Sequence, residues 1–202
     1  VRICAVGLNF KDLLNVMMPA EAAYRWGKDG GQGVPDPGLD FSGVVTGLSE
    51  DRAGDAIKLG DAIYGICLET SGALRSEAVI RLDTIAKMPG NIGFEEASTM
   101  PIVFSTVEYA LAEQAKLKAG ERLLIHSAAG GVGLTAIQFA QRVGAEVFAT
   151  ASTPKHAYLQ SLGVTNLSTT RDEDVFAKEM SVLVGDRGVD VVLNSLTSGD
   201  YI

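Results

Sequence analysis

Apolar residues recur at two different spacings along this chain, and the change falls near residue 95. Before it they come in short runs, at 41–46, 62–67 and 77–81, broken by Gly38, Gly43, Gly60 and Gly72. Short β-type runs separated by turn formers predict a small, mostly-β module. Between Met17 and Gly38 the chain carries Gly27, Gly30, Gly31 and Gly33 with Pro19, Pro35 and Pro37, a connection longer than most and of the kind expected to be functional or mobile. After the change, helical spacing at 95–100 and 104–114 closes at Gly120. Strand and helix then alternate: strands at 122–126, 146–150, 166–168 and 189–194, helices at 131–143, 154–162 and 172–184. Such alternation predicts a parallel sheet with right-handed crossovers, covered on both faces.

The strand-to-helix junction at 126–133 reads His-Ser-Ala-Ala-Gly-Gly-Val-Gly. Helical spacing continues through Ala136, Ile137, Ala140 and Val143. A glycine turn between a strand and a helix suits a pyrophosphate. Gly130 lets backbone amides approach it, Gly133 lets the helix pack on the sheet, and the helix N-terminus supplies partial positive charge. Ala129, Gly130, Gly131, Val132 and Gly133 are therefore the candidate cofactor-binding residues of this turn. Ala128 stands where the usual G-x-G-x-x-G has its first glycine, so the strand-turn-helix context carries the assignment.

The second strand of this unit then decides which cofactor. Sites that prefer NAD place Asp or Glu there for the ribose 2′-hydroxyl. This chain instead reads Thr150-Ala151-Ser152-Thr153-Pro154-Lys155. Hydroxyls and a cation favour NADPH, with Thr150, Ser152 and Lys155 at the site, Lys155 at the start of a helix, and Arg171 within reach after the third strand. A charge-assisted contact of this kind gives roughly ten- to hundred-fold preference.

Composition narrows the remaining classes. With 17 Lys plus Arg against 25 Asp plus Glu the net charge is −8 and no Lys/Arg block occurs, which argues against broad electrostatic contact with nucleic acid or an anionic membrane. No apolar run reaches the ~18–20 residues of a membrane span and no charged segment precedes a short apolar run in the chain, so a cytoplasmic location is expected. Cys4 and Cys67 read as two partly buried thiols. The chain begins Val-Arg-Ile, without an initiator Met, which leads us to expect an excised piece of a longer polypeptide.

Five segments carry a resemblance to a known family: 6–14 (Val-Gly-Leu-Asn-Phe-Lys-Asp-Leu-Leu), 38–45 (Gly-Leu-Asp-Phe-Ser-Gly-Val-Val), 60–65 (Gly-Asp-Ala-Ile-Tyr-Gly), the glycine turn, and 188–196 (Gly-Val-Asp-Val-Val-Leu-Asn-Ser-Leu). Together they resemble the medium-chain dehydrogenase/reductase superfamily, and most closely the enoyl reductase domains of modular polyketide synthases and animal-type fatty acid synthases. The resemblance implies an α/β chain. A GroES-like, mostly-β catalytic domain at 1–103 would precede a Rossmann doubly wound parallel sheet at 104–202, both truncated, with the active site in the cleft between them. It further implies hydride transfer from NADPH to the β-carbon of an enoyl thioester, with a proton added at the α-carbon. The substrate would ride on the phosphopantetheine arm of an acyl carrier protein, among neighbouring synthase domains. The rivals are a free-standing NADPH quinone oxidoreductase of the same superfamily and a nucleotide-binding relative that does not reduce anything.

The same resemblance places further residues. Asn9 would line the site near the nicotinamide, Thr106 would lie beside the cofactor, and Asn194 and Ser195 would end a buried strand at the ligand-binding edge of the sheet. Lys11 and Asp12 read as a local charge pair, and His126 as a structural histidine at a strand end. Zinc members of the superfamily need a Cys, His and carboxylate ligand set, which two Cys and two His do not supply, so a zinc-free protein is expected. For the proton donor the family offers a Tyr, for which Tyr24 is the substitute here, and a Lys that is missing after 194–196. Water is the alternative donor, since a positioned acid contributes only ~10²- to 10⁴-fold.

Overall fold

The computed structural model describes residues 1–17, 36–49, 56–68, 72–169 and 173–195. The chain divides into two compact units, Val1–Ile102 and Val103–Ile202. In the first, β1 (Arg2–Gly7), β2 (Asp40–Val44), β3 (Ala62–Ile66) and β4 (Ile85–Lys87) form one antiparallel sheet in chain order. Its core is Phe41, Val45, Ile63, Cys67 and Ala73, packed by Val1, Ile3, Leu48, Ile57, Ile80 and Ile85. The 77–81 run is not a strand of this ladder. It makes one antiparallel bridge, Arg2 with Glu77, and the fourth strand forms at Ile85–Lys87 instead.

One helix was not foreseen in this unit. α1 (Phe10–Met17) follows β1 directly. Its start is fixed locally: the Asn9 carbonyl accepts the Asp12 N–H at 3.0 Å, and the Asp12 carboxylate reaches back to the Asn9 N–H at 2.8 Å. The second contact is one half of a capping box, with Asp in place of Glu, while the Asn9 side chain turns to Asp40 instead. The glycines around it hide the helical signal of so short a segment. α2 (Phe94–Ser98) completes the unit.

In the second unit, β5 (Arg122–Ile125), β6 (Glu146–Thr150), β7 (Asn166–Ser168) and β8 (Val191–Leu193) pair in parallel in the order β7-β6-β5-β8. Helices α4 (Gly131–Val143), α5 (His156–Ser161) and α6 (Glu173–Val184) are the crossovers. Two faces of the sheet are covered because side chains alternate along a strand. Leu123 and Ile125 pack with Ala136, Ile137 and Ala140 of α4. Leu124 and Phe148 pack with Phe176 and Met180 of α6. A Leu or Ile fully buried in this way contributes about 1.5–3 kcal/mol. α4 stops at Gly144, whose φ of 84° is left-handed and suits glycine. The helix α3 (Pro101–Val107) runs on as a π-helical segment, Glu108–Gln114, where the Ala115 N–H donates to the Ala110 carbonyl.

Numbering the four strands of this unit in chain order gives 3-2-1-4, the Rossmann arrangement. The strand order reverses between β5 and β8. Ligands of open α/β sheets bind outside the carboxyl ends of the strands at such a point. An antiparallel sheet followed by this parallel one is the α/β architecture that the resemblance implies.

Candidate functional site

The glycine turn lies at the carboxyl end of β5, beside that reversal. His126 is buried, its N–H donates to the Leu193 carbonyl of β8 at 3.1 Å, and its carbonyl accepts the Ser195 hydroxyl at 3.1 Å. The ends of β5 and β8 are therefore stitched together on both sides of one residue. Thr150, at the end of β6, holds the next part of the turn. Its carbonyl accepts the Ala128 N–H at 2.9 Å, and its hydroxyl oxygen meets His126 Nδ1 at 3.1 Å and the Ser127 N–H at 3.3 Å. Ser127 takes a left-handed φ of 52°, and the Gly130 N–H closes the turn on its carbonyl at 2.9 Å.

α4 begins here with Gly130 as its cap residue and no side chain capping it. The first N–H groups of a helix have no intrahelical acceptor, so Gly131, Val132 and Gly133 present amides for an anion. Gly130 and Gly131 are exposed, and Ala129 and Val132 half-buried. A Cβ on Gly133 would stand 2.5 Å from the backbone of Ala128, closer than side chains approach, which is why this position admits no side chain. Around Gly130 the nearest atom to such a Cβ is the Ser127 carbonyl oxygen at 3.3 Å. Gly133 thus holds the helix against the turn, while Gly130 keeps the anion side open.

Ser152 and Lys155 follow β6. Ser152 is half-buried and Lys155 exposed. Lys155 stands in the 3-10 turn Thr153–Lys155 and its N–H donates to the Ser152 carbonyl at 2.8 Å. It is also the cap residue of α5, which begins at His156 and has six residues, so it stands at the start of a helix as expected, the first turn being 3-10. The proline at 154 and the short local loop set this tighter turn. Sequence reasoning passed over two neighbours. His156 places Nε2 2.9 Å from the Ala151 carbonyl. Glu179 of α6 accepts the Ser168 hydroxyl at 2.7 Å and the Thr169 N–H at 3.0 Å, and the Ser168 contact above all holds its carboxyl below the usual range. Thr106 is exposed on α3, and Asn194 and Ser195 are exposed just beyond β8. Tyr24 and Arg171 lie outside the described residues.

The first unit holds a separate cluster of polar groups. Asp12 is 4% exposed. Besides the Asn9 N–H, its carboxylate accepts the Gly38 N–H at 2.8 Å and the Leu39 N–H at 3.2 Å, tying α1 to the start of β2. These backbone amides satisfy a carboxylate that burial would otherwise penalise. Asp40 is 1% exposed. Its carboxylate accepts the Asn9 side-chain N–H at 2.9 Å and the Ile102 N–H at 2.9 Å. Burial pushes its pKa up to about 6, opposed by those two hydrogen bonds and helped by the Asp12 charge. Asp40 was another omission from the sequence reading. The signal for it was a carboxylate inside the apolar run 39–45, which a buried strand accepts only with partners.

The residues do not fit a zinc site. Cys4 is exposed and Cys67 buried in the core of the sheet, while His126 and His156 are held by Thr150 and Ala151. No group of three or more possible metal ligands occurs among the described residues. Nor, among them, is any helix long and apolar enough to cross a membrane.

Residues 131–202 match the family model described as "Zinc-binding dehydrogenase". Across 98% of its length the chain is 39% identical to erythronolide synthase EryA2 of Saccharopolyspora erythraea, of which it spans 5%. The solved CurK enoyl reductase superposes with a TM-score of 0.88 at 36% identity, over 98% of this chain and 58% of that one. The JamJ enoyl reductase gives 0.87 at 38% identity, over 100% of this chain and 59% of that one. The chain belongs to the medium-chain dehydrogenase/reductase superfamily, with the enoyl reductases of polyketide synthases as its homologues. Within that superfamily the parallel unit is the one expected to carry a nicotinamide cofactor.

Proposed function

We propose that this chain serves NADPH-dependent reduction of the α,β double bond of an enoyl thioester within a polyketide synthase. The observation that carries the reading is the uncapped start of α4 at the strand-order reversal, followed after β6 by Ser152 and Lys155 rather than by a carboxylate. The amides of Gly131, Val132 and Gly133 hold the pyrophosphate. Ser152 and Lys155, with Arg171, hold the 2′-phosphate, and Thr150 keeps the turn in shape from behind. Asn194, Ser195 and Thr106 line the cofactor, and Asn9 serves the reacting end. When bound, NADPH supplies a hydride for the β-carbon of the substrate. The α-carbon then takes a proton from Tyr24 or from water.

The substrate is an enoyl chain on the phosphopantetheine arm of an acyl carrier protein, presented by neighbouring domains of the synthase. Similarity to modular synthases supports this partner. The test is NADPH oxidation by the natural full-length protein with a crotonyl thioester and, separately, a simple quinone. Thioester turnover alone is expected. Turnover of the quinone alone would make the chain a quinone oxidoreductase, and NADPH binding with neither would make it a non-reducing relative.

A further inference from the structure

Asn9 is held from three sides. Its N–H donates to Asp12, its carbonyl starts α1, and its side-chain Nδ2 donates to Asp40 at 2.9 Å. The Asp40 carboxylate is itself fixed by the Ile102 N–H at 2.9 Å and is almost wholly buried. An ionised carboxylate only accepts hydrogen bonds, so the end of the Asn9 amide that faces it must be the NH2. The carbonyl oxygen, Oδ1, is what Asn9 then has for another partner. Asn9 is half-buried, so a ligand can reach it.

We propose that Asp40 is a positioning residue for the reduction, fixing which way round the Asn9 amide stands so that a hydrogen-bond acceptor faces the reacting ligand. This rests on the reading above that Asn9 serves the reacting end. Replacing Asp40 by Asn inverts the arrangement. The new side chain has to turn its oxygen to the Ile102 N–H, which leaves its NH2 toward Asn9, and the Asn9 amide must flip to accept it. A donor then replaces the acceptor on the ligand side. Protonating Asp40 weakens the same hold, because the new O–H donates to Asn9 Oδ1 once the amide flips and the carboxylate no longer enforces the NH2-inward orientation. The charged group set against Asp40 is Asp12 of α1. Its partners across the sheet are Gly7 on β1 and Ile66 on β3, and α3 contributes the Ile102 N–H.

The test compares wild type, Asn9→Ala, Asp40→Asn and the double variant in the natural full-length protein, with a crotonyl thioester and NADPH across pH. Asp40→Asn is expected to lower kcat about tenfold or more while the KM for NADPH stays within about twofold. Wild-type kcat should fall on the acid side with a midpoint at about 6, and this limb should vanish in both single variants. The double variant should be no slower than Asn9→Ala, since Asp40 acts through Asn9. Wild-type kcat in Asp40→Asn, or losses that add in the double variant, would overturn the positioning role while leaving Asn9 in place. An Asn9→Ala protein of undiminished rate would overturn the placement of Asn9 and the inference with it. Should Asp40→Asn fail to fold, the acid limb of Asn9→Ala decides: its loss supports the role and its persistence overturns it.

Discussion

The two units build their candidate sites from different material. In the second, the ligand-facing groups are backbone amides at the start of α4, and the side chains around them serve by being small or by turning inward, as Gly133 and Thr150 do. In the first, the Asn9, Asp12 and Asp40 side chains do the work, and apart from the local Asn9–Asp12 bond their contacts tie together pieces distant in sequence. A backbone site tolerates changes of side chain but not of shape. A side-chain site tolerates changes of shape but not of hydrogen-bonding character.

The largest test of this contrast is at the glycines. Gly133→Ala forces a Cβ into the Ala128 backbone and should destabilise the second unit by about 3 kcal/mol or more, read by chemical denaturation. Gly130→Ala meets only the Ser127 oxygen at 3.3 Å, so stability should change by less than about 1 kcal/mol while NADPH affinity falls. Equal stability losses at the two positions would erase the division of labour. Next in size, Lys155→Ala should raise the KM for NADPH about ten- to hundred-fold with little change for NADH. Equal effects on the two cofactors would remove Lys155 from the phosphate site.

The same contrast explains what the sequence made legible. The turn at 126–133, the helix after it and the strands around it are local in sequence, and their spacing alone located them. Strand order followed from the βαβ connections. Asp40 was invisible as a site residue because its partners, Asn9 and Ile102, are 31 and 62 positions away. α1 escaped because an eight-residue helix beside glycines offers too little periodicity. Thr150 was read as a cofactor contact, yet its hydroxyl faces His126 and Ser127. A residue's position along a strand does not reveal which buried group will claim its side chain.

Thr150 therefore gives a middle-sized test. Thr150→Val keeps the shape but removes the oxygen that the Ser127 N–H and His126 Nδ1 share, at a cost of about 1–3 kcal/mol. Thr150→Ser should recover most of it. A Val variant as stable as wild type but with weakened NADPH binding would return Thr150 to direct cofactor contact.

The smallest expected effect is on the side-chain site, and its sign is the informative part. Asp40 has its pKa raised to about 6 in the folded chain, chiefly by burial, against an ordinary value of 3.8. The folded state therefore binds a proton more tightly than the unfolded one, so Asp40 opposes folding at pH 7 and this penalty fades as pH falls through 6 toward 4. Asp40→Asn carries no such penalty. Its stability advantage over wild type should be larger at pH 7 than at pH 5, narrowing by roughly 1 kcal/mol between them. Denaturation curves of the two proteins at both pH values measure the difference. A gap that widened toward acid would mean that Asp40 is stabilised as a carboxylate by its hydrogen bonds more than it is penalised by burial. The first unit would then be tuned for stability, and only a buried carboxylate held at a cost argues that its function is to orient Asn9.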